Sequence, residues 1–517
     1  MVETSIALNR FGLGARPDEP LPDNPRKWLL DQFARFEPRP AAIAAAPDSR
    51  AVSADLAKYL EEQRQLRQQL GPRRQQPGQA APATMRPPGG EPAMMTPQAA
   101  PAMTDGMSAR PGMPATEPPA RKDDALTQAR QFARRQGRDD YATAVGARTT
   151  TALTSPAPFV ERLVHFWANH FAVSADKFNV VGLSGTLEFE AIRPHVLGKF
   201  GDMLGAVERH PAMLLYLDQA QSVGPNSPIG ARVAARGVRK IGLNENLARE
   251  IMELHTLGVR TGYSQADVTE FARAMTGWTV SGLGRGVGAR FTGTEGPAGA
   301  FVFAAPLHEP GGRTIMGKRY DQSGERQAQS VLDDLAVHPA TATHLATKLA
   351  RHFAGDTPPP ALVARLQATY LETGGDLPSV YRVLIEAPES WSPQPVKFKT
   401  PWEWSVSSMR ALGTATVQPL VVTGLLNQLG QPIWKPGSPA GYDDIAASWA
   451  GPDAVMRRVE AAARFAARAN GAIDARALAT RLFPSAVSPA TSQALANADS
   501  PGQALALLLV APEFMRR

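Results

Sequence analysis

Apolar residues recur at helical spacing along most of the chain. In the segment NPRKWLLDQFARFEP, the side chains of Trp28, Leu29, Phe33 and Phe36 fall on one side of a helix. The same spacing returns in PAPFVERLVHFWANHFAVSA, in PATATHLATKLARHFAG and in the last segments of the chain. Because such a pattern buries one face of each helix, it predicts a mainly α fold, an irregular multi-helix globular domain.

One stretch lacks this spacing. The segment SGLGRGVGARFTGTEGPAGAFVFAAPLHEPGGRTIMGKRYD is rich in glycine, which interrupts regular elements. We therefore expect a small Gly-rich β or irregular insertion at about 280–320. Its GLGRGVG run has glycine spacing similar to that of a nucleotide-binding loop. No strand-then-helix pattern surrounds the run and no Lys-Ser or Lys-Thr pair follows it, so we reject that interpretation.

The composition changes sharply between residues 71 and 120. Pro, Ala, Gln, Gly and Met dominate there, as in RRQQPGQAAPATMRPPGGEPAMMTPQAAPAM. Such a segment cannot bury enough apolar surface to fold, so it predicts a disordered Pro/Met-rich insertion. A methionine-rich copper tract is an alternative, although a low-complexity linker is the simpler interpretation. The predicted organisation is an N-terminal helical part at 1–70, the insertion at 71–120 and the main helical domain at 121–517.

Composition narrows the chemistry of the chain. Its 517 residues are 43% hydrophobic and carry a formal net charge of +7. The basic residues are scattered rather than clustered, so no nucleic acid is predicted as a partner. The sequence contains no cysteine. Disulfides, thiolate metal sites and cysteine nucleophiles are therefore excluded.

The amino terminus, MVETSIALNRFGLGARPDEP, lacks a basic stretch followed by an apolar core. No signal peptide is predicted from it. No segment approaches the roughly 18 apolar residues of a membrane span, so no span is predicted either. We expect a protein that is cytoplasmic as synthesised, and export to the periplasm would require a partner that carries it or a leader that has been removed.

The densest run of charged residues lies between Asn244 and Trp278, in NENLAREIMELHTLGVRTGYSQADVTEFARAMTGW. On a wheel of the first helix, Glu250 and Glu253 lie within about 40° of Asn246, and Arg249 lies nearby. His255 lies on the opposite, apolar side. This pattern predicts a helix with two carboxylates, an amide and a guanidinium on one face.

A second helix follows in the same segment. Ser264 and Asp267 have the spacing of a capping box at its start. Glu270 and Arg273 lie on its polar side, whereas Trp278 continues its apolar side. The capping box therefore explains the presence of Asp267 structurally, whereas Glu270 and Arg273 have no such local explanation.

Three functional interpretations and one structural interpretation of this helix pair remain open. Two carboxylates held close together ionise unequally, so one of them can act as an acid at neutral pH. A metal site would need Glu-x-x-His on paired helices, and Glu253 and His255 diverge. A DNA-reading helix would bring Asp267 and Glu270 against phosphate. The structural interpretation is a solvated polar face.

Histidines outside the helix pair offer further candidates. His308, in APLHEPGGRTIMG, lies on a predicted loop, where functional groups are often mounted. His344, Lys348 and His352 share one helix face, which indicates either a metal or anion patch or a solvated or interface face. His165 and His170 lie about 140° apart on their helix and cannot chelate one ion together.

The charged helix pair also carries a family resemblance. ENLAREIMELHTLGV followed by GYSQADVTEFARAMTGW resembles the signature of the bacterial domain of unknown function 1800 family. ALNRFGLGARP, ERLVHFWANHFAVS, HPAMLLYLD, HPATATHLATKLARHF and KFKTPWEW are similar to other blocks of that family. The Pro/Met-rich insertion lies outside the resemblance. In WKPGSPAGYDDIAASW, Tyr442 stands where the family usually has tryptophan.

The resemblance implies no reaction, because the activity of the family is not established. Its members often accompany proteins that resemble alkaline phosphatases and sulfatases and carry twin-arginine export signals. The resemblance therefore implies an exported or envelope-linked pathway, with such a phosphatase/sulfatase-like protein as a partner.

From these observations we expect an acidic cleft built around the helix pair, acting as a carbohydrate-active hydrolase on a polysaccharide. No cofactor or metal is predicted. The alternative is a non-catalytic scaffold or maturation partner of an exported phosphatase/sulfatase-like protein. The predicted catalytic residues are Glu250, Glu253, Asp267, Glu270 and His308, and the predicted substrate-binding residues are Asn246, Arg249, Arg273 and Trp278.

Overall fold

The computed structural model describes residues 2–70, 120–236, 242–284, 296–395 and 397–517. The predicted Pro/Met-rich insertion at 71–120 lies outside the described residues, except for Ala120, where a helix begins. The described part of the chain is mainly α-helical, which confirms the predicted fold class. The described residues of 1–58 and 133–517 form one compact unit, and those of 59–132 form a second.

The α-helices of the described residues are numbered in chain order. In the first half they are α1 Val2–Ile6, α2 Pro25–Arg35, α3 Ala41–Ala44, α4 Ser49–Leu70, α5 Ala120–Thr154, α6 Pro158–His170, α7 Ser184–Leu187, α8 Phe200–Arg209, α9 Pro211–Tyr216, α10 Pro228–Ala235, α11 Asn246–Glu250 and α12 Gln265–Met275. In the second half they are α13 Glu325–Ala336, α14 Pro339–Ala354, α15 Pro360–Glu372, α16 Leu377–Glu386, α17 Pro401–Ala411, α18 Pro419–Leu429, α19 Pro452–Ala469, α20 Ala475–Leu482, α21 Pro489–Ala496, α22 Pro501–Val510 and α23 Pro512–Met515.

Wider and tighter helical turns extend several of these helices. The π-helical turns are Ala7–Phe11, Glu188–Ile192 and Ile251–His255. The 3-10 turns are Val181–Leu183, Arg193–His195, Gln219–Gln221, Ala305–Leu307, Pro388–Trp391 and Ala446–Ser448. A π turn holds one more residue than an α turn and shifts the register of the side chains that follow.

The predicted Gly-rich insertion contains two small antiparallel sheets in its described part. Strand β1 Trp278–Val280 pairs with β2 Phe301–Phe303, and β3 Arg313–Ile315 pairs with β4 Lys318–Tyr320. Residues 285–295 of the predicted segment lie outside the described residues. Met316 and Gly317 connect β3 to β4 with φ of 49° and 78°. Positive φ at both central residues is typical of a tight hairpin turn, whose twist matches that of the two strands.

Local sequence explains where many helices begin. Proline occupies the first turn of α6, α9 and α14. The backbone N–H groups of a first turn have no acceptor within the helix, so the N–H that proline lacks costs no hydrogen bond there. His210 and His338 cap α9 and α14 through Nδ1, which accepts from the N–H of Ala212 at 3.2 Å and of Ala340 at 3.1 Å.

A buried aromatic cluster lies around α6. Trp167 and Phe171 of this segment stack against each other with ring centroids 6.0 Å apart, and Phe200 at the start of α8 packs against both. The indole of Trp167 donates to the hydroxyl of Tyr381 at 2.6 Å, which ties α6 to α16. These contacts hold the apolar side of α6, which lies opposite the polar residues of the same helix, against the core.

Among the described residues, no helix is long and apolar enough to cross a membrane.

Candidate active site

A cavity of about 560 Å³ opens beside the polar side of α6. Its walls are α6, α14, the start of α17, the loop 431–445 and one arginine of α5. The lining mixes cations, histidines and tryptophans with three acidic residues, Glu403, Asp443 and Asp444. This combination of an apolar wall and convergent polar groups is typical of a ligand site.

The α6 wall presents His165 to the cavity. Its Nδ1 accepts a hydrogen bond from the indole Nε1 of Trp402 at 3.1 Å. The ring proton of a neutral His165 therefore lies on Nε2. Burial, with Arg148 adding to it, holds the pKa of His165 well below its usual value. Nε2 is buried and has no hydrogen-bond partner among the described residues. His165 thus carries an N–H donor that none of the described residues uses.

The α14 wall presents His352. Its Nδ1 lies 2.8 Å from Oδ2 of Asp444. Burial lowers the pKa of His352 to about 4, although the neighbouring carboxylate opposes the shift. A neutral ring that donates from Nδ1 to a carboxylate carries its lone pair on Nε2. That Nε2 is also buried and without a partner in the described part of the chain. His352 is therefore a free base held in one orientation.

Asp444 stays ionised in this arrangement. Its other oxygen, Oδ1, lies 3.1 Å from Nζ of the buried Lys397, which also pairs with Asp356 at 2.8 Å. Burial alone would raise the pKa of Asp444, but His352, Lys397 and Arg517 together hold it far below its usual value. The carboxylate can therefore orient His352 and stabilise its protonated form.

Lys348 lies one helical turn before His352. Its Nζ donates to Nδ1 of His170 at 3.0 Å, and Nε2 of His170 donates to the backbone carbonyl of His255 at 3.1 Å. Burial lowers the pKa of Lys348 to about 8. Because His170 is neutral and its pKa is held well below its usual value by burial, Lys348 has a hydrogen-bond partner without a countercharge.

Glu403 joins the cavity to the rest of the fold. It accepts from Arg162 of α6, and it lies 2.8 Å from Arg517. Both arginines hold the pKa of Glu403 far below its usual value, against the opposing effect of burial. Arg162 also donates to the backbone carbonyl of Gly12 at 2.7 Å and 2.9 Å. The opening motif ALNRFGLGARP therefore helps to position the cavity wall.

A second ion pair supports the aromatic part of the cavity. Arg148 of α5 lies 2.9 Å from Glu188, and its guanidinium stacks on the rings of Trp402 and Trp434 at 4.5 Å and 5.3 Å from their centroids. The indole of Trp434 donates to Glu188 at 3.0 Å. Glu188 holds both Arg148 and Trp434, and Arg148 in turn packs on both tryptophans, so these contacts hold the two indole rings in place.

The carboxylates predicted on the first helix of the charged pair do not line this cavity. Glu250 and Glu253 are partly buried, and Asn246 is exposed. Arg249 lies 3.4 Å from Glu253 and 3.2 Å from Glu245, so it is engaged along its own helix. Burial raises the pKa of Glu250, and the charge of Glu253 adds to that shift.

The charged residues predicted on the second helix make local contacts. Asp267 completes a capping box with Ser264, which confirms the predicted helix start, and it accepts from the backbone N–H of Met316 at 2.6 Å. It therefore anchors the β3–β4 hairpin to α12. Glu270 lies 2.5 Å from Arg273 and 3.3 Å from Arg313.

His308 and Trp278 lie near the carboxyl end of α12, and Trp278 is the first residue of β1 instead of a continuation of the helix. Nδ1 of His308 donates to the backbone carbonyl of Thr276 at 2.8 Å, and burial lowers the pKa of the ring. Trp278 is fully buried, with the guanidinium of Arg209 stacked on its ring at 4.8 Å. Neither residue lines the cavity, and the role predicted for both remains a prediction.

The charged helix pair reaches the cavity through its backbone instead. The π turn Ile251–His255 leaves the carbonyls of Leu254 and His255 free of helical partners. Nε2 of His344 lies 3.2 Å from the first carbonyl, and Nε2 of His170 lies 3.1 Å from the second. This motif therefore sets the tautomers of two histidines that line the cavity. His255 itself is buried, with Nδ1 2.8 Å from Glu208.

A family model described as a protein of unknown function, DUF1800, matches residues 6–516. The chain belongs to the DUF1800 family. The comparison confirms the resemblance drawn from the sequence. No curated protein and no solved structure matches this chain. Several of the DUF1800 blocks quoted above supply cavity residues, among them His165 and His170 from ERLVHFWANHFAVS, His344 and His352 from HPATATHLATKLARHF, Trp402 and Glu403 from KFKTPWEW, and Asp444 from WKPGSPAGYDDIAASW.

Sequence reasoning singled out some of these side chains without assembling them. The spacing of His344, Lys348 and His352 predicts one shared face, either a metal or anion patch or a solvated or interface face, and in the structure of the DUF1800 chain this face lines the cavity. Asp444 and Trp402 were missed because their partners lie far away in the sequence. Among the described residues, no group of three or more His, Asp or Glu side chains could hold a metal ion.

Proposed function

We propose that this DUF1800 chain is a hydrolase that activates water in the cavity through His352. One observation carries the proposal: a neutral imidazole lines a cavity, is oriented by an ionised carboxylate at 2.8 Å, and keeps its second nitrogen buried and without a partner in the described part of the chain. A base with this support is the core of many hydrolytic sites.

The substrate proposed for this site is a carboxylic ester. Nε2 of His352 takes a proton from water while the water oxygen bonds to the carbonyl carbon, and the carbonyl oxygen becomes an oxyanion. The Nε2–H of His165 donates to that oxyanion. The tetrahedral intermediate then collapses and the C–O bond to the leaving alkoxide breaks. The proton on His352 passes to the alkoxide, and Asp444 remains ionised throughout.

An ester fits this cavity better than a glycoside does. Glycoside hydrolysis needs a carboxyl group that is protonated near neutral pH. The pKa values of Glu403 and Asp444 are both held far below their usual range by neighbouring cations. Neither can donate a proton to a leaving sugar, whereas ester hydrolysis needs only the base and an oxyanion donor.

A carbohydrate-active hydrolase at the helix pair is the second candidate. The raised pKa of Glu250, caused first by burial and then by Glu253, is the observation that favours it. In this function Glu250 would donate the proton and Glu253 would act as base or nucleophile. The polysaccharide would then bind outside the cavity, along the helix face that carries Arg249.

A hydrolysis screen tests both candidates. Purified full-length protein is assayed with p-nitrophenyl acyl esters and p-nitrophenyl glycosides, beside His352→Gln, Asp444→Asn and Glu250→Gln. Loss of the base is expected to lower ester kcat by about a hundredfold or more. His338→Asn is the control, because His338 caps the other end of α14 and does not line the cavity.

The outcomes separate the functions. Ester turnover that persists in His352→Gln would contradict the proposal that the cavity is the active site. Glycoside turnover that Glu250→Gln abolishes would favour the helix pair. If wild-type protein turns over neither substrate class but binds a co-expressed phosphatase/sulfatase-like protein, the non-catalytic scaffold or maturation role is favoured instead.

A further inference from the structure

Arg351 is a cation without a partner inside the cavity wall. It lies on α14, three residues after Lys348, and lines the cavity. Its Nε is buried and makes no hydrogen bond, and within the described ranges its guanidinium has no acidic partner within 4 Å. A guanidinium carries five N–H donors that suit a planar or tetrahedral oxyanion.

Lys348 adds a second uncompensated charge beside it. Its hydrogen bond goes to the neutral ring of His170 at 3.0 Å, and this bond holds the ammonium in place while leaving two of its protons for another acceptor. No carboxylate of the described residues lies within 4 Å of its Nζ. The nearest acidic influence is Asp444, which is already shared by His352 and Lys397.

The other arginines of the cavity do have carboxylate partners. Arg148 pairs with Glu188, and Arg162 pairs with Glu403. The contrast is therefore specific to the α14 wall. Placing two cations in a partly dry wall without a counterion is costly, and a bound anion removes that cost.

We infer that Lys348 and Arg351 form an oxyanion subsite that binds an acidic group of the ligand, as a carboxylate, sulfate or phosphate. The inference rests on the proposed function in one respect, the identification of that ligand as the substrate. In that case the ester cut by His352 carries a second, negatively charged group. Binding of the anion itself does not depend on any reaction.

Direct binding tests the subsite without turnover. Isothermal titration of the full chain with sodium sulfate, sodium phosphate and sodium acetate, at ionic strength held constant with sodium chloride, compares the three oxyanion chemistries. Arg351→Gln is expected to weaken the preferred anion by about tenfold or more, as the loss of a charge-assisted hydrogen bond does. Arg326→Gln, an exposed arginine of α13, is the matched control and should bind as wild type does.

Two further variants distinguish a loss of anion binding from a folding defect. Arg351→Lys keeps the charge and the aliphatic stem but loses the forked donors, so a folded protein with weaker sulfate or phosphate binding supports the subsite. Lys348→Met should weaken binding as well. Wild-type protein that binds none of the three anions, or Arg351→Gln protein that binds them equally well, would overturn the inference.

Matched esters then connect the subsite to the reaction. The acidic p-nitrophenyl hemisuccinate is compared with the neutral p-nitrophenyl butyrate. The acidic ester should have the higher kcat/KM in wild type, and the advantage should vanish in Arg351→Gln. Equal rates for the two esters would refute the substrate assignment while leaving the hydrolase standing. Anion binding without cleavage of either ester would refute the hydrolase while leaving the subsite standing.

Discussion

The indole Nε1 of Trp402 donates to Nδ1 of His165 across 3.1 Å. This single contact decides which nitrogen of His165 carries the proton, because an Nδ1 that accepts cannot also hold a hydrogen. Trp402 belongs to α17 and His165 to α6, so the chemistry of one wall depends on the packing of another.

Trp402→Phe should therefore lower activity without removing any group that touches the substrate's ester. Phenylalanine keeps an aromatic face for Arg148 but cannot donate to His165, so the ring is free to change tautomer. We expect ester kcat to fall by about tenfold, less than the loss of a whole oxyanion donor. Nitrogen-15 NMR of the histidine rings should show the change of tautomer directly.

Trp404→Phe provides the control for that substitution. Its indole donates to the backbone carbonyl of Leu509 at 2.9 Å, and it is buried away from the cavity. It should cost stability but leave kcat of the folded protein unchanged. If Trp402→Phe behaves in the same way, the tautomer argument is wrong.

The low pKa of His352 predicts activity in acid. Burial lowers this pKa from 6.5 to about 4, and the base works only while its ring is neutral. The kcat/KM of ester hydrolysis should therefore stay constant as the pH falls through 6.5 and should decline near pH 4. A pH profile recorded with melting curves in parallel checks this expectation. A decline centred on pH 6.5 would show that burial does not depress this group.

The charge of Lys348 predicts how the affinity for an oxyanion changes at alkaline pH. Burial, opposed by Asp444 and assisted by Arg351, lowers the pKa of Lys348 to about 8, while His170 and His344 beside it are neutral. Since the ammonium is lost above that pH, oxyanion affinity should weaken between about pH 8 and 9. Titration of the wild type at a series of pH values measures it. In Lys348→Met the same pH dependence should be absent, and a pH dependence that persists there would point to another group.

The periodicity of the sequence predicted the helices well, and local chemistry predicted some of their ends. The capping box of Ser264 and Asp267 forms as expected because both partners lie within one turn. Such contacts depend on neighbours in the sequence, which the sequence displays directly.

The face of the first charged helix was harder to predict. A wheel of 100° per residue assumes one α-helix, whereas Ile251–His255 form a π turn with a wider path. No residue type marks a π turn reliably. The important groups of this segment are the carbonyls of Leu254 and His255, and a pattern of side chains cannot reveal backbone acceptors.

The cavity itself depends on contacts between distant segments. Lys399 and Glu403 have the i, i+4 spacing of a helical ion pair. In the structure Lys399 donates to Ser407 at 3.1 Å, and Glu403 pairs with Arg162 and Arg517 instead. Burial selects these partners, and the spacing of residues along one helix does not reveal which side is buried.

Glu403→Gln should for this reason destabilise the whole fold. The carboxylate is buried between Arg162 and Arg517, and its replacement leaves two buried guanidinium groups with one anion fewer. Breaking a buried ion pair by removing one partner costs about 3–5 kcal/mol. Urea unfolding followed by circular dichroism measures the loss. Glu3→Gln, which breaks the exposed pair with Arg26 at 3.2 Å, should cost no more than about 1 kcal/mol. Similar losses in the two variants would show that the contacts of Glu403 contribute no more than a surface pair does, and that the cavity wall is held by apolar packing instead.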